Sequence, residues 1–212
     1  MIETGKALVI DCCKKLAEHK LTAAGDVVSL RVEEGMLITD TAKDIAEVTE
    51  ADIRFVGKNA AANETEATHL AIYASRDDIN GVIMNHAPFC TGIAKKLGSF
   101  PATLDDMAQV IGRNAKVAPS YSATDILKTM SGRNACLVRG GGVIATGRTL
   151  DEAFTGSLVL EKGALCYVGS AIIAKPVKIS FIDAVLMRLV YRLKYSKKDQ
   201  AAKLAEQKGG AL

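Results

Sequence analysis

Gly81-Val82-Ile83-Met84-Asn85-His86-Ala87 runs from an apolar strand into a turn. Side chains alternate along a strand with period two, so Met84 and His86 face the same side of it. A second stretch, Ala135-Cys136-Leu137-Val138-Arg139-Gly140-Gly141-Gly142-Val143-Ile144-Ala145, reads as strand, glycine turn and strand. The chain has only three histidines, and His86 is the one placed at the end of such a strand. These two stretches are therefore where a site is to be sought.

The sequence around them alternates between helical and extended patterns. Leu8, Val9, Cys12, Cys13 and Leu16 recur at helical spacing, with Lys14, Lys15 and Glu18 on the wet side. Val28, Leu30 and Val32 alternate with Ser29 and Arg31, and 36–39 follows after Glu33-Glu34-Gly35, which predicts a hairpin. Strands are expected at 53–56 and 82–85, and helices at 63–75, 104–111, 122–131 and 151–173. Ser122 is the expected cap of the third of these helices, ahead of Asp125. Segments 136–139 and 143–146 form a second hairpin. With no internal repeat and no linker, the pattern predicts a single α/β domain over residues 1–212.

Composition narrows the function classes. A chain of 212 residues that is 49% hydrophobic and 24% charged can bury a substantial core without staples. A net charge of +3 with no Trp and few aromatics argues against nucleic acid as a partner. Five cysteines, odd in number, without C-x-x-C spacing and in apolar surroundings, suit reduced thiols and a cytoplasmic location. The first residues lack a basic region followed by an apolar core, and no uninterrupted apolar run of about 18 residues occurs, so neither a leader nor a membrane span is expected.

Together the two strand segments resemble the core of the class II aldolase/adducin family, and the likeness extends over nearly the whole chain. Gly35-Met36-Leu37-Ile38-Thr39 is similar to the family's second strand. His69-Leu70-Ala71-Ile72-Tyr73, followed by Arg76-Asp77-Asp78-Ile79-Asn80-Gly81-Val82, is similar to its helix and entry into the metal strand. Phe100-Pro101-Ala102 resembles a loop of the aldolases, and Thr149-Leu150-Asp151-Glu152-Ala153 the start of the helix after the second metal segment. The resemblance implies a three-layer αβα fold with a central, mainly antiparallel sheet. It also implies a homotetramer with active sites between protomers, and zinc-dependent aldol cleavage of sugar phosphates.

In that family the first segment carries His-x-His and the second His-His-Gly, and three of those imidazoles hold zinc. The matching positions here read Met84, His86 and Gly141, which leaves His86 as the one family ligand. A catalytic zinc needs about three protein ligands, and neither a neutral thioether nor a glycine replaces an imidazole. No cofactor is expected on this reading. Zinc or another divalent ion would need a rearranged site drawn from His86, Cys90 and Asp105 or Asp106. Against that, Cys90 reads as a small buried apolar group, His69 as a hydrogen-bonded helix residue, and Asp105-Asp106 as helix-capping acids.

Other positions implied by the resemblance are altered as well. The family's acid/base falls on Thr65, flanked by Glu64 and Glu66, either of which a one-residue slip would bring into place. Two phosphate-binding serines fall near Asn63 and Glu64, where a carboxylate repels a phosphate dianion. A further phosphate contact falls near Thr41, and a tyrosine that assists proton transfer falls near Asp106. Gly25-Asp26-Val27-Val28-Ser29 stands for the family's Gly-Asn-x-Ser, making Asp26 and Ser29 candidate substrate contacts. Arg139 with Gly140 and Gly141 offers a backbone nest and a bidentate guanidinium for a small anion. The plainer reading is that the glycines permit positive φ in a tight turn and that Arg139 pairs with Asp105 or Glu64.

At the C-terminal end, Ile182, Val185, Leu186, Leu189, Val190 and Leu193 share one helical face in a stretch rich in Lys and Arg. This predicts a basic amphipathic helix, about 181–206, packing on the domain or within an oligomer, with the last residues frayed. Three functions stay open. One is a divergent family member without zinc-dependent cleavage, non-catalytic or with altered chemistry. Another is an aldehyde-lyase acting on a small phosphorylated sugar or hydroxy-carbonyl compound from a rearranged site. The last is a small-anion binding protein.

Overall fold

In the computed structural model residues 2–194 are described. Positions of the expected terminal helix beyond 194, and the last residues expected to fray, lie outside them. Eight strands form one sheet: β1 Val27–Val32, β2 Gly35–Thr39, β3 Ile53–Gly57, β4 Gly81–Asn85, β5 Ser99–Pro101, β6 Asn114–Ala118, β7 Ala135–Val138 and β8 Gly142–Gly147. Their order is β3-β2-β1-β4-β8-β7-β6-β5, and every neighbouring pair is antiparallel except β6 with β7. The helices are α1 Ile2–Glu18, α2 Glu64–Ser75, α3 Pro88–Lys96, α4 Asp105–Val110, α5 Ala123–Thr129 and α6 Leu150–Ile173, with α7 over 181–194. Two single-turn 3-10 helices, Ile45–Glu47 and Glu50–Asp52, lead into β3.

Alternation along the strands builds two cores, one on each face of the sheet. On one face Val28, Leu37, Ile83, Leu137 and Ala145 meet α1, α3, α4 and α6. On the other Val27, Met36, Val82, Met84 and Ile144 meet Ile72 and Tyr73 of α2 and Ile126 and Met130 of α5. The result is the three-layer αβα arrangement with a mainly antiparallel sheet. By length and composition α6 is apolar enough to cross a membrane, but Ala153, Gly156, Leu160 and Ala164 are buried against the domain.

Besides the two 3-10 helices, three elements stand where none was expected: α3, β5 and β6. Helix α3 starts at Pro88, whose fixed φ suits a first helical position, and its cap, Ala87, offers no side-chain acceptor. Instead the carboxylate of Glu161, reaching over from α6, accepts from the amides of Phe89 at 2.8 Å and Cys90 at 2.9 Å. A carboxylate on free amides is favourable both as a hydrogen bond and with the helix dipole. Asp105 and Asp106 are the first two residues of α4, which Leu104 caps without a side-chain bond, so they lie in its first turn and do not cap it.

His69 lies on the buried side of α2, with Nδ1 2.7 Å from Ser29 Oγ, which in turn meets the Tyr73 hydroxyl at 2.7 Å. Its Nε2 is buried without a hydrogen-bond partner. Burial pulls its pKa down to about 4, against a smaller upward pull from Glu66. The unfolded chain takes up this proton near the ordinary histidine pKa while the folded chain resists it. The corresponding stability is present above about pH 6.5 and is lost as pH falls toward 4. Unfolding free energy, measured by urea titration at stepped pH, should drop by up to about 3 kcal/mol over that window through this group. The His69→Gln variant should show a flatter profile.

Candidate active site

The pairing of the three central strands builds the site. Met84 is level with Val27 on β1 and with Ile144 on β8. Beyond these pairs, Asp26 immediately precedes β1, His86 immediately follows β4 and Gly142 opens β8, which brings the three together. Asn85 fixes the end of β4, donating to the Leu21 carbonyl at 2.8 Å and accepting from Ser157 of α6 at 3.0 Å. His86 follows this clamped residue and is half-buried.

His86 Nδ1 lies 2.6 Å from Asp26 Oδ1, and Asp26 Oδ2 accepts from the Ala23 amide at 2.8 Å. With Asp26 as the carboxylate, His86 Nδ1 donates to Oδ1 and Nε2 is the ring nitrogen left to accept. Burial pushes the Asp26 carboxyl up from its ordinary value, opposed by the bonds to His86 and Ala23. On the other side of the ring the Tyr121 hydroxyl lies 3.3 Å from Nε2. Burial, with Asp26 and Cys136 adding to it, pushes the Tyr121 phenol up to about 12, so it stays protonated and can donate. Tyr121 sits in the loop between β6 and α5. Its carbonyl accepts from Thr68 of α2 at 2.7 Å, and the flanking Ser120 bonds Asp125 at 2.7 Å.

The residues named from sequence fall in several places. Asp26 and His86 come together. Ser29 is buried one pleat away, bonded to His69 and Tyr73. Glu66 is buried, held by Arg54, by Asn63 and by the Ala62 amide at 2.7 Å, and its pKa is lowered by those bonds against burial, the largest single influence. Glu64 and Thr41 are exposed, and Asn63 caps α2 through the Glu66 amide at 3.0 Å. Asp106 is exposed on α4, in the layer with α1, α3 and α6. None of Glu64, Glu66 and Asp106 bonds His86. The tyrosine at His86 is Tyr121, which sequence reasoning did not single out; its link to His86 spans 35 residues and has no local motif.

The glycine turn departs from expectation in two respects. Arg139 is bonded to neither Asp105 nor Glu64, because its Nη1 donates to the Ala94 carbonyl at the end of α3, 2.8 Å away. Two amides of the turn are also engaged, Arg139 to Ala118 at 2.8 Å and Gly141 to Val138 at 3.1 Å. Gly140 and Gly141 have φ of 99° and 106°, conformations that L side chains rarely adopt. A Cβ on Gly141 would press on Thr91, whereas one on Gly142 would overlap the Tyr121 hydroxyl and lie 3.5 Å from His86 Nε2. It is Gly142, one residue past the position inferred from the family pattern, that faces the imidazole.

The donor set does not fit a zinc of the family's kind. Met84 belongs to the apolar cluster on the α2 and α5 face, and Cys90 is buried beside Glu161 with its thiol pKa pushed well up by burial and that carboxylate. Asp105 and Asp106 are exposed. Among the described residues no three His, Cys, Asp or Glu side chains come together to hold a metal. His86 is one imidazole between a carboxylate and a phenol. That arrangement can move a proton.

The contact between Tyr121 and Gly142 makes a stability prediction. Gly142→Ala should destabilise the fold by about 1–3 kcal/mol through overpacking. Combined with Tyr121→Phe, which removes the overlapping oxygen, the loss should be smaller than the sum of the two single changes. Chemical denaturation of the four proteins of the cycle measures the coupling.

Residues 7–168 match the model of the class II aldolase and adducin N-terminal domain. L-fuculose phosphate aldolase of Escherichia coli is 30% identical over 185 residues, covering 81% of this chain and 86% of the relative. A 5-methylthioribulose-1-phosphate/5-deoxyribulose-1-phosphate aldolase of Rhodospirillum rubrum is 31% identical over 183 residues, covering 79% and 82%. Among solved structures, an L-fuculose 1-phosphate aldolase superposes with a TM-score of 0.83 at 27% identity, covering 89% of this chain and 96% of the other. The match over most of the chain and the shared αβα architecture together show that this protein belongs to the class II aldolase and adducin family.

Proposed function

We propose that this chain is a divergent class II aldolase-family protein that does not run zinc-dependent aldol cleavage, and that its pocket performs metal-independent proton transfer next to a carbonyl. The observation that carries this reading is the Asp26, His86, Tyr121 series, with the phenol and a side-chain-free Gly142 at Nε2. The substrate class is a short hydroxy-carbonyl compound. His86 Nε2 takes the proton from the carbon beside the carbonyl. The C–H electron pair forms the new C=C bond, and the carbonyl π pair moves onto oxygen. Asp26 stabilises the imidazolium through Nδ1. Tyr121, displaced from a long 3.3 Å contact, donates to the developing enediolate oxygen. Delivery of that proton from Nε2 to the former carbonyl carbon, while the proton of the neighbouring hydroxyl returns to Tyr121 as that C–O becomes the new carbonyl, completes an isomerisation with no further reactant.

Glu64, Glu66 and Asp106 have no part in this step. A homotetramer, which the resemblance implies, and a cytoplasmic location, which the cysteine pattern suits, belong to the same proposal. A second reading, carbon–carbon lyase activity on a sugar phosphate, is favoured by the overall likeness to two relatives named as aldolases of such compounds.

The test is solvent deuterium incorporation into dihydroxyacetone, followed by NMR, alongside a cleavage assay on L-fuculose 1-phosphate with and without zinc. We expect exchange that is indifferent to chelator and falls by about a hundredfold or more in Asp26→Asn and His86→Asn, with no cleavage. Cleavage that scales with added zinc would establish the lyase reading instead. Absence of both activities would leave a scaffold and overturn the proton-transfer assignment.

A further inference from the structure

Charge is divided unevenly along this chain. Residues 1–173 carry eighteen Lys and Arg against twenty-one Asp and Glu, a net of −3, while residues 174–212 carry nine against three, a net of +6. The small overall charge of +3 therefore hides a basic C-terminal segment on a mildly acidic body. That segment contains α7, whose two sides differ in what they touch.

The inner side of α7 is docked. Ala184 is buried, Met187 and Tyr191 pack on the core beside it, and Arg188 Nη1 donates to the Gln109 carbonyl at 2.8 Å, beside the C-terminal end of α4. Among the described residues nothing covers the outer side. Ile182, Val185, Leu186, Leu189, Val190 and Leu193 are each between 45% and 68% exposed. At 3.6 residues per turn these six fall within an arc of about 140°, opposite the docked residues. Arg192 stands at one edge of the arc and Lys194 at the other, and Asp183 is the one acid among residues 181–194. The preceding end of α6 continues the same character, with Ile172 and Ile173 81% and 88% exposed. Isolated exposed leucines need no explanation, but a continuous apolar ridge of this size marks a binding face.

We infer that the outer face of α7 lies on an anionic lipid surface, with its apolar ridge in the headgroup and acyl boundary and its flanking cations on the headgroups. An apolar helical face edged by Lys and Arg, on a segment of net +6, has the chemistry of an in-plane interfacial helix. A second copy meeting this face symmetrically would set two such segments of like charge against each other, which is repulsive. The helix lies on the membrane and does not cross it. No residue of α7 takes part in the proton-transfer step, so the two readings stand or fall separately.

The full chain is sedimented with vesicles of phosphatidylcholine alone and of an equal mixture with phosphatidylglycerol, and its mass in solution is measured by sedimentation velocity. We expect partitioning to the anionic vesicles at least about tenfold above the neutral ones, weakened by raised salt. Leu186→Glu with Leu189→Glu should abolish it, and Arg192→Glu with Lys194→Glu should reduce it to the neutral level, with thermal unfolding unchanged because all four side chains are solvent-facing. Absence of partitioning, or equal partitioning to both vesicles, would overturn the inference. So would a Leu186→Glu, Leu189→Glu protein that loses subunits from its assembly while vesicle binding is unaltered, because the face would then belong to a second copy.

Discussion

The register of β1, β4 and β8 is the constraint on which the site depends. Val27, Met84 and Ile144 lie level across three strands in the middle of the sheet, and each is buried on the same face. A slip of one residue in any strand would turn its apolar set to the wrong core, so packing fixes the pairing firmly. Asp26 just before β1, His86 just after β4 and Gly142 at the start of β8 are then placed without further instruction. Asp26, His86 and Gly142 are neighbours because three apolar side chains are.

On that frame, a buried carboxylate has to be reconciled with its surroundings. Asp26 is almost wholly shielded from solvent, and an unpaired charge there would be expensive. The imidazole and the Ala23 amide offset the cost by using both oxygens, yet burial still leaves the carboxyl pKa raised. The balance has a chemical consequence: an aspartate that is costly to keep ionised gains most when its partner becomes positively charged. A proton arriving at His86 Nε2 therefore strengthens the pair, the behaviour wanted of a general base. The His86 side chain is 27% exposed, with the Tyr121 hydroxyl beside Nε2.

Much of the fold could be read from sequence because it rests on local patterns. The β1–β2 and β7–β8 hairpins announce themselves by alternation and by turn residues, and α1, α2 and α6 by helical spacing. Helix α3 does not, since Cys90, Thr91 and Gly92 are indifferent or poor helix formers and its cap comes from Glu161 more than seventy residues away. Strand β6, Asn114-Ala115-Lys116-Val117-Ala118, has low strand preference and is held by its neighbours on both sides. Of the site, His86 and Asp26 could be picked out singly, but their bond spans sixty residues and that of Tyr121 to His86 thirty-five. The family pattern also directed attention to Glu64, Glu66 and Asp106, whose side chains are turned to solvent or to Arg54.

Three consecutive glycines serve separate needs, and the third shapes the site. Gly140 and Gly141 carry the turn at positive φ, and Gly141 in addition lets the chain pass Thr91. Gly142 has an ordinary strand conformation and no backbone reason to be glycine. Its missing Cβ is the space that the Tyr121 hydroxyl fills beside His86 Nε2. Any side chain there, an imidazole included, would expel the phenol. Conversely, the phenol in place leaves no room at that position for a further ligand. At Gly142, then, the missing side chain and the hydroxyl beside Nε2 are two aspects of one packing arrangement, and the proposed proton transfer rests on it.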